Sequence, residues 1–127
     1  MIKHYLYLNQ SAGKGKGVFT KEKIPAGIII EESPVIVMDI RDREHLDQTL
    51  LHDYIFEWGD DLMQCCMALG WVPMYNHSYK SNCEYFMDFD EHLIQIKTVR
   101  VIQNGEELTI NYNGSRNDEK PLWFNAQ

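Results

Sequence analysis

The apolar residues of this chain occur mostly in short runs rich in β-branched and aromatic side chains, which glycine and proline interrupt repeatedly. Such runs fit β-strands, because a helix needs a longer stretch with apolar residues every three or four positions. Turn-forming residues lie between them at 11–17, 25–27 and 90–92. The predicted strands are residues 3–8, 18–19, 28–30, 35–37, 85–89, 93–97 and 107–112. The sequence therefore predicts a mainly β fold with several short-stranded sheets.

The middle of the chain follows a different pattern, which is typical of an amphipathic helix ending at Gly59. The apolar residues that recur there at three- and four-residue intervals are Leu46, Leu50, Leu51, Tyr54, Ile55 and Trp58. Residues 61–69 are predicted to form a second short helical piece, which Gly70 stops. We therefore expect one or two helical insertions in the β framework. Residues 24–30 are echoed by residues 102–108, so two similar glycine turns are expected to bracket the fold.

The length and composition of the chain fit one globular domain. At 127 residues it is too short for two ordinary domains, so residues 1–127 are predicted to fold as a single unit. It has no run of about twenty apolar residues and no signal-peptide pattern at its start. We expect a soluble intracellular protein, cytoplasmic or nuclear, with no membrane partner. The three cysteines, Cys65, Cys66 and Cys83, are an odd number, and adjacent Cys65 and Cys66 are poorly placed to bridge each other or to share a zinc, so reduced thiols are expected.

The charge of the chain indicates what kind of partner it can bind. The formal net charge of -7 and the scattered lysines argue against direct binding of nucleic acid, which requires clustered basic residues. Acidic residues cluster instead at positions 57, 60 and 61 and at positions 88, 90 and 91. Either cluster can simply be a solvated surface, but together they favour a basic peptide as partner.

Four sequence elements, taken in order, resemble the SET domain of protein-lysine methyltransferases. They are the glycine loop at residues 15–19, the segment 53–56, the segment 75–78 followed by Asn82, and residues 105–112. The resemblance covers nearly the whole chain. It implies a β-clip-like SET fold in which the C-terminal segment is threaded, in the manner of a pseudoknot, beneath the loop of the Asn-His pair. It also implies that residues 113–127 form a C-terminal lid, comparable to a post-SET segment.

The resemblance implies S-adenosylmethionine as the cofactor and S-adenosylhomocysteine as its product, with no metal. The implied cofactor-binding residues are Gly15, Lys16, Gly17, Asn76, His77, Tyr112 and Trp123. Glycines at 15 and 17 let the backbone approach a ligand closely, although an ordinary hairpin loop has the same composition. The side chains of Asn76 and His77 can form hydrogen bonds to the cofactor, or can simply anchor their own loop. Trp123 and Phe124 are expected to cover the adenine, or else to cap the core.

Tyr112 is the catalytic tyrosine that the resemblance implies, and Tyr54 is expected to form a second wall of the lysine channel. A narrow aromatic channel removes water from the lysine amine, lowers its pKa and aligns it with the methyl group. The activity implied is transfer of a methyl group to the side-chain amine of a lysine in a basic protein or peptide, such as a histone tail. Asn111 occupies the position before Tyr112 at which the family commonly has aspartate, so local hydrogen bonding there is expected to differ.

Two other functions fit parts of the sequence. One is a Cys-His hydrolase that uses Cys65 or Cys66 with His77, although residues 65–69 have the composition of a buried segment and a reactive thiolate must be accessible. The other is a catalytically weak or inactive SET-shaped module that binds peptides. The presence together of Gly15, Gly17, Asn76, His77 and Tyr112 favours the active enzyme over this module.

Overall fold

The computed structural model describes residues 1–59 and 63–112, and strands dominate this part of the chain. One α-helix, α1 (Ile40–Leu46), and two short 3₁₀-helices, Leu50–Asp53 and Val72–Met74, connect them. The strands are β1 (Leu6–Ser11), β2 (Gly15–Thr20), β3 (Ile29–Met38), β4 (Phe56–Trp58), β5 (Gln64–Ala68), β6 (Asn76–His77), β7 (Cys83–Asp88), β8 (Leu93–Thr98) and β9 (Glu107–Ile110). The predicted mainly β fold is confirmed.

The strands form two sheets. A four-stranded sheet has the order β1-β2-β9-β6, in which β6 and β9 are parallel and the other neighbours are antiparallel. A five-stranded antiparallel sheet has the order β4-β5-β3-β8-β7. The hydrophobic core includes residues of both sheets, among them Val18, Leu108 and Ile110 of the first and Ile30, Ile94 and Ile96 of the second. Each of these six side chains is fully buried.

β3 is longer than the two runs predicted from the sequence, because the Ser33-Pro34 pair does not end the strand. The residues before Pro34 pair with β8, and those after it pair with β5. Proline lacks the N–H that a continuous ladder needs, so it is tolerated where a strand changes partner. Ser33 and Pro34 therefore mark the point at which β3 passes from one neighbour to the other.

The two predicted glycine turns lie beside each other. Ile24 and Ile102 exchange two backbone hydrogen bonds of 2.8 and 2.9 Å, so the two similar segments meet as an antiparallel bridge. Gly27 and Gly105 have positive φ angles of 82° and 87°, which fits their turns. The β7–β8 hairpin predicted around residues 90–92 is also confirmed.

The prediction of an amphipathic helix running to Gly59 is wrong. Asp39 caps α1 at its start and Thr49 caps the first 3₁₀-helix, so two short helices form instead of one. Phe56 and Trp58 then alternate with Glu57 in β4, where both aromatic rings are buried. Burial of every second residue is the pattern of a strand. The three- and four-residue spacing of the apolar residues before it concealed this pattern in the sequence.

The second predicted helical piece is also wrong where it is described, since Gln64–Ala68 forms β5 between β3 and β4. Cys65 and Cys66 are buried in this strand. All three cysteines are free, as expected for reduced thiols. The lid 113–127 and the threaded C-terminal segment lie outside the described residues, as do Asp60, Asp61 and Leu62. Within the described ranges, no helix has the length and apolar character needed to cross a bilayer.

Candidate active site

Three segments that are far apart in the sequence become neighbours in the four-stranded sheet. β2 begins at the glycine loop, β6 is the Asn76-His77 pair, and β9 leads into Tyr112. Because β9 lies between β2 and β6, it joins all three segments. In its register, Asn76 is paired with Thr109 and His77 with Ile110. The structure thus brings together the predicted site residues Gly15, Lys16, Gly17, Asn76, His77 and Tyr112.

Glu107 connects the glycine loop to the Asn76 side chain, although the sequence pattern predicted for it only the start of a strand. The Asn76 amide donates to the Glu107 carboxylate at 2.7 Å and to the Lys16 carbonyl oxygen at 3.3 Å. The Ser11 hydroxyl donates to the other carboxylate oxygen of Glu107 at 2.8 Å. The sequence contains one signal for this position of Glu107, namely the alternation of apolar and polar residues in β9. Leu108 and Ile110 are buried, and Glu107 faces the other way.

Asn82 holds the backbone of the same strand, β9. Its side-chain amide donates to the Glu107 carbonyl oxygen at 2.8 Å, and its side-chain oxygen accepts from the Thr109 backbone N–H at 2.8 Å. The Asn82 side chain is buried, and these contacts use both its donor and its acceptor. Asn82 therefore fixes the strand that positions Glu107 and Tyr112.

Gly15 and Gly17 lack a side chain for different structural reasons. A Cβ atom at Gly17 would overlap the Glu107 carboxylate and lie 2.8 Å from the Asn76 amide nitrogen. Gly17 is therefore needed so that these two side chains can pack against β2. Gly15 has a φ angle of +74°, and no atom of the described residues lies within 4 Å of the position that its Cβ would occupy. The open space beside Gly15 leaves room for a ligand against the backbone.

His77 has one ring nitrogen engaged and one without a partner. Nδ1 accepts a hydrogen bond from the Tyr112 backbone N–H at 3.1 Å, which assigns the ring proton to Nε2. Nε2 is buried and has no hydrogen-bond partner among the described residues. Burial lowers the pKa of His77, and the nearby Lys14 ammonium adds to this effect. The ring is therefore a neutral donor, and its N–H has no acceptor among the described residues.

The Tyr112 hydroxyl is held by a backbone carbonyl. It donates to the Tyr75 carbonyl oxygen at 2.7 Å, and the Tyr85 hydroxyl donates to the Tyr112 carbonyl oxygen at 3.0 Å. Burial raises the pKa of Tyr112, and the nearby Tyr54 and Asp53 raise it further. The phenol therefore stays protonated at neutral pH. Because its proton is directed at the Tyr75 carbonyl, the hydroxyl oxygen presents lone pairs rather than a proton to other groups.

Tyr54, the other predicted channel tyrosine, contributes to the raised pKa of the Tyr112 hydroxyl. It terminates the 3₁₀-helix Leu50–Asp53, rather than lying within a long helix, and is half-buried. The Phe56 ring meets the Tyr112 ring edge-on at 6.2 Å. Trp123 and Phe124 lie outside the described residues.

The cysteines do not have the properties of nucleophiles. Cys66 is fully buried, and burial raises the pKa of its thiol to about 12. Burial also raises the pKa of Cys65. A thiol that stays protonated and inaccessible cannot attack a substrate, which argues against the Cys-His hydrolase.

Comparison with known proteins assigns the chain to a family. The sequence profile of the SET domain matches residues 15–113, a segment that contains the glycine loop, the Asn76-His77 pair and Tyr112. The chain belongs to the SET-domain family. It is 33% identical over 125 residues to a Schizosaccharomyces pombe protein named histone-lysine N-methyltransferase, H3 lysine-37 specific, covering 98% of this chain and 80% of the relative.

Two further comparisons support the assignment of this SET domain. Human histone-lysine N-methyltransferase 2B is 30% identical over 111 residues, which cover 81% of this chain but only 4% of that protein. The crystal structure of a candidate histone methyltransferase from Plasmodium falciparum superposes with a TM-score of 0.64 and 25% identity, over 90% of this chain and 97% of that one. The SET fold is therefore shared over nearly the whole chain.

Gly17→Ala is expected to weaken the affinity for S-adenosylmethionine, the cofactor that membership of the SET family implies, by about tenfold or more while the domain still folds. The added methyl group must push the Glu107 carboxylate and the Asn76 amide away from β2, because both lie too close to its position. These are side-chain ends, so they can move, but their mutual hydrogen bond of 2.7 Å would be strained. Calorimetric titration with the cofactor measures the loss.

Gly13→Ala is the matched control for that variant. Gly13 lies in the same hairpin with a φ angle of +73°, and within residues 1–59 and 63–112 no atom lies within 4 Å of its Cβ position. Its substitution adds the same methyl group without displacing Glu107 or Asn76, so cofactor affinity should stay close to wild type. Equal cofactor affinities in the Gly17→Ala and Gly13→Ala variants would show that the Asn76–Glu107 contact plays no part in cofactor binding.

The protein is expected to lose stability at mildly acidic pH partly through His77. Its lowered pKa in the folded state means that folding favours the neutral ring, and protonation would break the bond from the Tyr112 N–H to Nδ1. This contribution is present above the unfolded pKa of about 6.5 and is lost as the pH falls through the folded value. Melting temperatures between pH 7 and pH 5 should therefore fall more steeply for wild type than for His77→Gln. Parallel curves would contradict this role.

Proposed function

We propose that this SET domain is a protein-lysine N-methyltransferase that uses S-adenosylmethionine. One observation carries the proposal: β9 joins a glycine loop with open space, a buried histidine N–H without a partner among the described residues, and a tyrosine hydroxyl oriented by a backbone carbonyl. A cofactor with an amino acid at one end and an adenine at the other can use the first two, while the third serves the reacting amine. The methyltransferase names of the relatives agree with this function.

The residues around β2 and β6 are proposed to hold the cofactor. The open face at Gly15, the backbone of Lys16 and the Asn76–Glu107 pair present donors and acceptors suited to an amino-acid group. Nε2 of His77 is a buried donor, for which an adenine nitrogen is a suitable acceptor. When bound, S-adenosylmethionine supplies an activated methyl group with a neutral thioether as leaving group.

Tyr112 is proposed to orient the lysine amine. Its hydroxyl proton is committed to the Tyr75 carbonyl, so its oxygen can accept an N–H from the amine and leave the nitrogen lone pair free to attack. With S-adenosylmethionine bound, an amine held in this way would be aligned to take the methyl group from sulfur, and the proton left on nitrogen would go to solvent. Since burial keeps the pKa of Tyr112 raised, the phenol positions the amine and does not act as a phenolate base.

The aromatic surroundings are proposed to keep the amine neutral. Tyr54 and Phe56 lie near Tyr112, and an amine surrounded by such rings loses hydration, which lowers its pKa. Loss of water also prevents hydrolysis from competing with methyl transfer.

The substrate is proposed to be a basic protein or peptide, with histone H3 the first to test. The chain carries a net charge of -7, and Asp90 and Glu91 are exposed at the β7–β8 turn. An acidic surface attracts a lysine-rich tail and raises its rate of association. The names of the relatives, which specify histone lysines, support the same class of substrate.

The proposal is tested in two steps. Calorimetry with S-adenosylmethionine measures cofactor binding, and incubation with methyl-labelled cofactor and histone H3 measures transfer. H3 with its lysines replaced by arginine is the matched control, because it keeps the charge but offers no lysine amine. Label on lysine in H3, or on lysine of other proteins in a cell extract, supports the proposal.

Two results would overturn it. Absence of cofactor binding would remove the site itself. Cofactor binding without label on any lysine would favour the catalytically inactive peptide-binding module. Asn111→Asp, which restores the aspartate common in the family, would then be the first variant to test for activity.

A further inference from the structure

Glu31 is a fully buried carboxylate that lies in β3, outside the sheet that contains the active site. One of its oxygens accepts from the Ser33 hydroxyl at 2.7 Å and from the Trp71 backbone N–H at 2.7 Å. The other oxygen accepts from the Tyr75 hydroxyl at 3.0 Å. All three donors are neutral groups. A carboxylate is costly to bury, so one that is held by three hydrogen bonds needs an explanation beyond filling space.

Gly70 lets the chain reach this carboxylate. Its φ angle is +66°, and a Cβ atom there would overlap both the Ser33 hydroxyl and the Glu31 carboxylate. With no side chain at this position, the backbone passes against Glu31 and the N–H of Trp71 points at it. The carboxylate thus holds the chain immediately before the 3₁₀-helix Val72–Met74.

Tyr75 closes that short helix and connects Glu31 to the active site. Its hydroxyl donates to Glu31, and its backbone carbonyl accepts the hydroxyl proton of Tyr112 at 2.7 Å. Tyr75 is completely buried, so its ring has little freedom to adopt another position. Glu31 therefore holds both ends of the segment 71–75, and the second end is the group that orients the Tyr112 hydroxyl.

We propose that Glu31 is a positioning residue for methyl transfer, acting through Tyr75 to fix the hydroxyl of Tyr112. This rests on the proposed function, because it assigns Tyr112 to the reaction. Glu31 itself touches no reacting atom. If the loss of Glu31 shifts the Tyr75 carbonyl, the Tyr112 hydroxyl that donates to it must shift as well. Small errors in the position of a group that orients a reactant reduce reaction rates strongly.

The test is a double-mutant cycle built from Glu31→Gln and Tyr112→Phe, with turnover measured at saturating cofactor and peptide. Glutamine keeps the shape of the side chain but cannot accept from all three donors. We expect Glu31→Gln to lower kcat by about tenfold in the wild-type background and by less than about threefold in the Tyr112→Phe background. The second value must be small, since no hydroxyl remains to be positioned.

Glu32→Gln is the matched control. It removes a carboxylate from the next residue of β3, whose side chain accepts from the Gln95 amide at 2.7 Å and does not contact Tyr75. Its kcat should equal that of wild type in both backgrounds. If Glu31→Gln fails to fold, Tyr75→Phe replaces it in the cycle, because that change removes only the hydroxyl that reaches Glu31 and leaves the Tyr75 carbonyl in place.

Equal fold-losses in the two backgrounds would overturn the proposal, since Glu31 would then support stability without acting through Tyr112. A wild-type kcat for Glu31→Gln would overturn it too. Failure of the proposed function is a separate result: the wild-type protein would then transfer no methyl group. If wild type is active but Tyr112→Phe is equally active, the role of Tyr112 fails and the positioning role of Glu31 fails with it.

Discussion

Tyr112→Phe is expected to lower the rate of methyl transfer by at least about tenfold while folding and cofactor affinity change little. The substitution removes one oxygen atom, which accepts the amine N–H in the proposed reaction and donates to the Tyr75 carbonyl at 2.7 Å. The Tyr112 backbone N–H still donates to His77, so the His77 ring keeps its anchor. The loss should therefore appear in kcat rather than in cofactor binding.

Single-turnover transfer to histone H3, calorimetry with cofactor and thermal melting together measure the Tyr112→Phe effect. Tyr7→Phe is the control, because Tyr7 lies on β1, stacked on Phe19 with 5.8 Å between ring centroids. It removes a similar hydroxyl away from the site and should leave kcat unchanged. Wild-type turnover in Tyr112→Phe would mean that Tyr112 does not orient the amine, and Tyr54 would become the candidate for that role.

The sequence was sufficient to select residues that the fold brings together, because the family motifs are local. The glycine loop, the Asn76-His77 pair and Tyr112 are each recognisable within a few residues, and the sheet then brings them together. Their individual functions were less accessible. Gly17, for example, makes room for Glu107 and Asn76, which no local pattern around position 17 reveals.

Residues that act over long sequence distances could not be found in this way. Glu31 contacts residues 40 and 44 positions away, and Glu107 contacts Ser11 across 96 positions. In the sequence each of them is an acidic residue beside a second one, and such pairs are usually solvated. Only the fold shows that Glu31 is buried and that Glu107 lies between the glycine loop and Asn76.

The error in the middle of the chain has a simple physical cause. Apolar residues at three- and four-residue spacing predict a helix only if the same face is buried throughout. Here Leu50 is 78% exposed, whereas Phe56 and Trp58 are buried by strand pairing with β5. Tertiary packing of two aromatic residues, together with separate helix caps at Asp39 and Thr49, overrides the helical spacing.

Gly70→Ala is expected to destabilise the protein by about 3 kcal/mol or more, a larger loss than an added methyl group causes at Gly13, Gly17 or Gly27. Two costs add together. A φ angle of +66° is unfavourable for alanine by about 1 kcal/mol, and the new Cβ would overlap the buried Glu31 carboxylate and the Ser33 hydroxyl and lie 3.1 Å from the Ser33 Cβ. Moving the carboxylate away would strain the hydrogen bond that it accepts from the Trp71 N–H.

Gly27→Ala separates these two costs, since it shares the backbone penalty but not the collision. Its φ angle is +82°, and in the part of the chain that the structure describes nothing lies within 4 Å of its Cβ position. Thermal melting should therefore show a fall of roughly 3–5 °C for Gly27→Ala and of about 10 °C or more for Gly70→Ala. Equal falls in melting temperature would mean that the region around Glu31 rearranges around the added methyl group without losing stability. In that case Glu31 could not hold Tyr75 rigidly, and its proposed effect on Tyr112 would lose its physical basis.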